Sequence, residues 1–345
     1  MMTKLLPFTE TRRDWFLAVI VAVFTAVLLF VPYYLAYTTA GPDTFFTGIL
    51  MNPEDSQTYF GKMMVGYMDH WLYTIPFTSE PHQPAAVGVF YVWLGQLGRI
   101  TGLPAATIWH LARLVAQLIL FLSIFWFVTQ FTRDRKERWT AYLLALTGSG
   151  LGWLLFISGQ LYWLDAFPVD FKQPGAHIFF TALSYPHIIL ATTLMLFSVW
   201  GLDRLRQRPS LTLSLALGIT HLLLGLAYPF LIFLVALVAV LAYGQLLWWQ
   251  RRVNWPVAWH YAIAFFIPLP LFGYFALVRQ QNAVFAAWDA QAVTPSAPWP
   301  HYLVAYGPYV LLAAVYWWRR PECRRQTAVL WLWLLAGALL LYAPL

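Results

Sequence analysis

The sequence predicts an all-α integral membrane protein, a polytopic bundle of about nine transmembrane helices in one domain over residues 1–345. Three observations predict it. Hydrophobic residues make up 61% of the chain and charged residues only 10%, against about 45–50% and about 25% in soluble domains. Apolar runs on the order of 20 residues, the length a bilayer requires, recur from end to end. Of the 21 Lys and Arg residues, 16 fall in five short segments between those runs. The segments are Lys4, Arg12, Arg13; Arg133, Arg135, Lys136, Arg138; Arg204, Arg206, Arg208; Arg251, Arg252; and Arg319, Arg320, Arg324, Arg325. Such clusters mark cytoplasmic span ends under the positive-inside rule. The net charge of +7 therefore reports topology, and no nucleic-acid partner is expected. A lone cysteine, Cys323, excludes an internal disulfide framework.

Taken in order, residues 1–14 form a short basic leader. Trp15 to Tyr37 is too long for a signal-peptide core and lacks a small-residue cleavage site, so it is a retained span. Its basic flank places the N-terminus in the cytoplasm and residues 39–103 in a first outer loop of a plasma-membrane protein. Within that loop, Ala85 to Gly102 is apolar but short and carries Gln96 and Arg99. Were it to cross, the basic segment at 133–138 would land outside, so it is expected to lie in the membrane plane or re-enter. Pro104 to Phe131 is the second span. Trp139 to Gly159 crosses outward, and Gly148-Ser149-Gly150 with Gly152 suits close helix approach. A second outer loop at 160–185 precedes Pro186 to Gly201. Leu211 to Ala227 and Pro229 to Trp249 form a pair that turns at Tyr228-Pro229. Pro256 to Val278 goes out again, its helix broken by Pro268 and Pro270. After a third outer loop at 279–300, His301 to Trp318 returns and Thr327 opens a final span. The sequence stops in apolar residues at Tyr342-Ala343-Pro344-Leu345, which suits a piece of a longer chain slightly better than an end at the outer interface.

One stretch breaks the apolar pattern: Asn52-Pro53-Glu54-Asp55-Ser56-Gln57-Thr58-Tyr59-Phe60-Gly61-Lys62. Carboxylates just past a span end are commonly solvated interfacial residues. Held at the membrane surface, they also meet a lipid-borne and a water-borne substrate together. There Asp55 or Glu54 can act as general base toward an attacking hydroxyl, or the pair can ligate a hard divalent cation such as Mg or Mn. On a helix begun near Pro53, Asp55, Tyr59 and Lys62 fall at i, i+4 and i+7 on one face. Lys62 can then neutralise a phosphate passing near Asp55.

These residues resemble the acidic motif in the first outer loop of the GT-C glycosyltransferases, in particular the protein O-mannosyltransferase and aminoarabinose-transferase branch. The later Glu80-Pro81-His82-Gln83-Pro84 is similar to the His/Lys-Pro-Pro element that closes that loop in the same families. The resemblance covers roughly residues 10–140 in motif and the remainder in topology only. It departs in the order of the acidic pair, Glu-Asp here, and in Gln83 where a proline is usual. It implies inverting transfer of a sugar from a polyprenyl-phosphate donor, with membrane lipid as partner, to an acceptor the sequence does not identify. Asp55 takes the family's general-base position, with Glu54 the adjacent second choice, and His82 joins the substrate-binding set. The second outer loop, which often supplies an acidic or basic group in this family, offers Asp165 and Asp170 for metal or donor phosphate.

Two more cations lie in a span or at its outer end. Arg113, within the second span, costs about 2.5–3.5 kcal/mol to insert and is expected either to hold the lipid phosphate or to pair with a loop carboxylate. Arg279 is either a further phosphate contact or a snorkelling interfacial side chain. No glycine-rich nucleotide-binding loop is present. A secondary transporter or lipid flippase, and a non-catalytic protein on the same scaffold, remain the alternatives. Against the transporter, no internal repeat is visible and the polar residues crowd one loop instead of the midplane.

Overall fold

A computed structural model describes residues 11–291 and 295–343, apart from the side chains of residues 53 and 54. Among these residues the fold is helical, with one isolated antiparallel bridge, Tyr73 with Ala85. The helices are α1 Arg12–Thr39, α2 Pro53–Tyr67, α3 Val89–Thr101, α4 Ala105–Thr129, α5 Arg135–Thr147, α6 Gly152–Ile157, α7 Val169–Lys172 and α8 Ile178–Leu183. They continue with α9 Pro186–Gln207, α10 Leu211–Ala227, α11 Leu231–Gln250, α12 Trp255–Phe266, α13 Leu269–Gln281, α14 Ala283–Gln291, α15 Trp299–Arg319 and α16 Arg324–Leu340.

Four helices, α1, α4, α9 and α11, are each long and apolar enough to cross a membrane, and α12 with α13, bent by 43°, makes a fifth candidate. Helix α1 carries Ala18, Ala22, Ala26 and Leu29 inward, while Phe16, Phe24 and Val27 stand exposed. Small residues let it approach its neighbours closely, as lipid-embedded helices require. Helices α1 and α4 run antiparallel: Trp15 packs on Phe125 at one end and Tyr37 on His110 at the other. Helix α9 lies at the centre, against α4, α10, α11, α12 and α16.

The basic segments gather at one end of this bundle. Arg135 bonds Asp14 of α1, Arg204 bonds Gln130 after α4, Arg206 bonds Gln245 near the end of α11, and Arg320 meets Glu137 of α5. Residues 52–88 sit at the opposite end, where the start of α9 meets them: Tyr185 donates to Asn52 O at 3.2 Å.

One expectation changes. The run at 139–159 is not one helix. Gly148 ends α5 in an extended conformation, and the chain restarts at Gly152 as the short α6. Thirteen residues rise only about 20 Å, short of the roughly 30 Å hydrocarbon core. The glycines do serve close approach, but of the break itself. A Cβ on Gly150 would lie 2.8 Å from Ala305 Cα on α15, and Leu151 N–H donates to Val304 O at 3.0 Å. Within the bundle His221 Nδ1 meets Ala264 O at 3.0 Å, an interhelical bond from α10 to α12.

Candidate functional site

The site grows from the turn before α2. Asn52 adopts a left-handed conformation, φ 43°, which a short polar side chain tolerates better than most. That turn is pinned three times at the Asn52 carbonyl, by Ser56 N–H at 3.2 Å, Ser56 Oγ at 2.9 Å and Tyr185 OH at 3.2 Å. Held so, Asn52 Nδ2 donates to Asp55 Oδ2, and Asp55 stands exposed in the first helical turn. Pro53 at N1 suits a helix start because its missing N–H would have had no partner there. Glu54 lies in the same turn, and its side chain is outside the described residues.

Two turns on, Lys62 Nζ lies 5.5 Å from the Tyr59 ring centroid and 5.0 Å from that of Tyr73. Among the described residues no carboxylate pairs with it. Burial without a counter-charge lowers its pKa from 10.5 to about 8. Gly88 closes over the amine: its φ is 61°, and a Cβ there would come within 2.7 Å of Nζ. Burial also raises the Tyr59 hydroxyl pKa, helped by Tyr185 and Asp55 nearby. Asp55, Tyr59 and Lys62 thus lie along one face of α2.

Behind Tyr59 stands a set of rings that the sequence did not single out. Tyr59 lies 4.5 Å from Tyr91, 5.1 Å from Tyr185 and 5.0 Å from His187 between ring centroids. Tyr91 stacks on Trp109 and shares a 2.6 Å hydrogen bond with His187 Nδ1. Helices α2 and α3 are pressed together at Gly66 and Gly95, where a Cβ on either would fall 2.0 Å from a backbone carbonyl of the other helix. That close approach brings Tyr91 beside Tyr59. Four separate elements contribute these rings, so no local spacing could have grouped them.

The other predicted residues do not join this face. His82 is a loop clamp: Nε2 accepts Ile75 N–H at 2.9 Å, which leaves Nδ1 to donate to Glu80 O at 2.8 Å. Arg113, only 3% exposed, lies 3.6 Å over the Tyr33 ring and donates to Leu183 O at 3.2 Å. With Tyr33 and Gln117, which bond Leu183 O and Ala182 O, it closes the carbonyl end of α8. Among the described residues no loop carboxylate pairs with it. Arg279 pairs at 3.0 Å with Asp289 on the surface.

In the segment 160–185 Asp165 is exposed, whereas Asp170 is buried. Asp170 Oδ2 accepts Gly152 N–H at 2.8 Å, binding α7 to the break before α6. Its Oδ1 and the nearby His177 Nε2 are buried with no partner among the described residues. Burial lowers the His177 pKa more than Asp170 raises it. No hydrogen bond or ion pair links Asp165 or Asp170 to Asp55 or Lys62 among the described residues. Nor do three His, Cys, Asp or Glu side chains there come together as a metal-holding group.

No family of known proteins, no curated protein and no solved structure matches the chain.

Proposed function

We propose that this chain is a membrane-embedded glycosyltransferase of GT-C type, with about nine crossings, that moves a sugar from a polyprenyl-phosphate donor to an acceptor hydroxyl outside the plasma membrane. The observation that carries the proposal is the α2 face. An exposed carboxylate, Asp55, and a half-buried amine, Lys62, which has no carboxylate partner among the described residues, stand two helical turns apart on it. Seven residues separate them by about 10 Å along the axis, comparable with a sugar ring and its phosphate. The face lies at the bundle end opposite the basic segments, the end that the positive-inside rule assigns to the exterior.

In this reading Asp55 accepts the proton of the acceptor hydroxyl as its oxygen attacks the anomeric carbon. The bond from that carbon to the phosphate oxygen breaks, the sugar inverts, and polyprenyl phosphate leaves. Lys62 binds the phosphate and stabilises the charge that grows on it. Tyr59 offers the sugar an aromatic edge and a hydroxyl. Mg or Mn at the acidic pair would strengthen the same charge stabilisation, with Asp55 and Glu54 as the oxygen donors. The test is transfer by correctly inserted Asp55→Asn and Glu54→Gln variants. The reading expects Asp55→Asn to lose activity by at least about 100-fold, the scale of general-base catalysis. Full transfer by both variants would overturn it.

A further inference from the structure

Away from the α2 face, the bundle end that collects the basic segments holds a half-open cleft of about 420 Å³, lined by Thr11, Arg13, Asp14, Arg133, Arg135 and Arg138. We infer that this cleft is a binding site for a phosphate oxyanion, offered by an anionic lipid headgroup in the leaflet at that end of the bundle.

Four guanidinium groups face one carboxylate. Asp14, 2% exposed, is already saturated: it accepts from Arg135 Nε at 2.8 Å, Trp139 Nε1 at 3.3 Å and Thr11 Oγ1 at 3.2 Å, with Arg138 Nη1 at 3.9 Å. Among the described lining residues it neutralises one of the four cations and leaves an excess of three. Arg138 carries the argument further. It is 3% exposed, its Nη2 reaches only the Arg133 carbonyl at 3.3 Å, and its buried Nε has no partner among the described residues. An orphaned buried guanidinium N–H costs stability until an acceptor arrives. The guanidinium groups of Arg13 and Arg133 form no ion pair or hydrogen bond there, and both side chains are exposed at the rim.

Helix polarity adds to the charge. Helices α1 and α5 both begin at the cleft, at Arg12 and Arg135, so both positive helix ends face it. Planar guanidinium forks match phosphate oxygens in pairs. The cleft also lies where the long exposed apolar face of α1 would bring lipid alongside. Basic pockets between membrane helices hold lipid phosphates by this combination of fixed charge and adjacent acyl-chain surface. A free phosphate ion has the same oxygen chemistry, so the experiment separates the two sources.

The purified protein in neutral detergent is titrated with dioleoylphosphatidylglycerol and with dioleoylphosphatidylcholine, and bound lipid is counted by native mass spectrometry. Parallel samples receive millimolar inorganic phosphate, with thermal unfolding as readout. Because Arg138 is buried and its replacement also perturbs folding, the principal variant is Arg13→Gln/Arg133→Gln, both at exposed positions. The expected result is preferential binding of phosphatidylglycerol, weakened roughly thirtyfold in the double variant, with phosphatidylcholine binding unchanged. Stabilisation by inorganic phosphate in the wild type and not in the variant supports the oxyanion site with the soluble ion as a source. Equal binding of the two lipids, or unaltered phosphatidylglycerol binding by the double variant together with no effect of phosphate, overturns the inference. The readout is binding, so it is independent of sugar transfer.

Discussion

Replacing Lys62 with methionine should make the protein more stable and the donor weaker-binding, two effects of opposite sign. The fall of the Lys62 pKa from 10.5 to about 8 corresponds to on the order of 3 kcal/mol, the cost of keeping its charge buried at neutral pH. Lys62→Met removes that cost and forfeits contacts with Tyr59 and Tyr73 worth about 0.5–1 kcal/mol each. A net gain of about 1–2 kcal/mol follows at pH 7. The sign of the pH effect follows from linkage. The unfolded chain holds the lysine proton up to pH 10.5, the fold only to about 8, so the penalty is full below 8 and fades between 8 and 10.5. The advantage of Lys62→Met should therefore vanish as the pH rises through that window. In the donor complex the same amine meets phosphate, and its loss removes a charge-assisted hydrogen bond of about 1.5–3 kcal/mol, or roughly 10- to 150-fold in Kd. Wild-type affinity should also fall by up to about tenfold per pH unit above 8, while the variant stays flat. Thermal unfolding and polyprenyl-phosphate binding in nanodiscs, both from pH 7 to 10, measure these effects. A variant that is less stable at pH 7, or that binds the donor as the wild type does, would refute the reasoning.

Three further outcomes are expected. Gly95→Ala drives a methyl to 2.0 Å from the Met63 carbonyl, so α2 and α3 must separate. A loss of at least about 1–3 kcal/mol, with donor affinity falling as Tyr91 leaves Tyr59, should appear in unfolding and binding assays on the same sample. Arg113→Met strips the α8 end of a buried donor, and a destabilisation of about 1–3 kcal/mol with unchanged donor KM would assign it to the fold and not to the phosphate. Asp170→Ala leaves the Gly152 N–H without its acceptor. It should destabilise by a similar about 1–3 kcal/mol, read as faster proteolysis between α5 and α7.

Much of the fold was legible because bilayer length and apolarity are local properties. The runs at 15–37, 104–131 and 229–249 became α1, α4 and α11 with ends shifted by a few residues. The helix over Asp55, Tyr59 and Lys62 was legible too, from Pro53 and the spacing of those three residues. What sequence could not reveal depends on partners far along the chain. Arg113 reads as a cation in need of an anion, yet it is met by a carbonyl 70 residues away. Gly148 to Gly152 reads as a smooth helix face until Asp170 and α15 supply the hydrogen bonds that make a break there affordable. The rings around Tyr59 come from α3, α4 and the start of α9, and each alone looks like ordinary apolar filling. Arg138 was visible only as a topology marker, and its partner Asp14, 124 positions away, gave no signal of its own.

The central claim is the donor class, and one measurement addresses it directly. Purified protein in lipid nanodiscs is offered polyprenyl-phosphate hexoses and pentoses, with and without divalent metal, and free polyprenyl phosphate is followed by mass spectrometry. The account predicts release from at least one donor by the wild type and none above background by Asp55→Asn. Equal release by wild type and Asp55→Asn, or none from any donor when acceptor-bearing membrane extract is supplied, would contradict it.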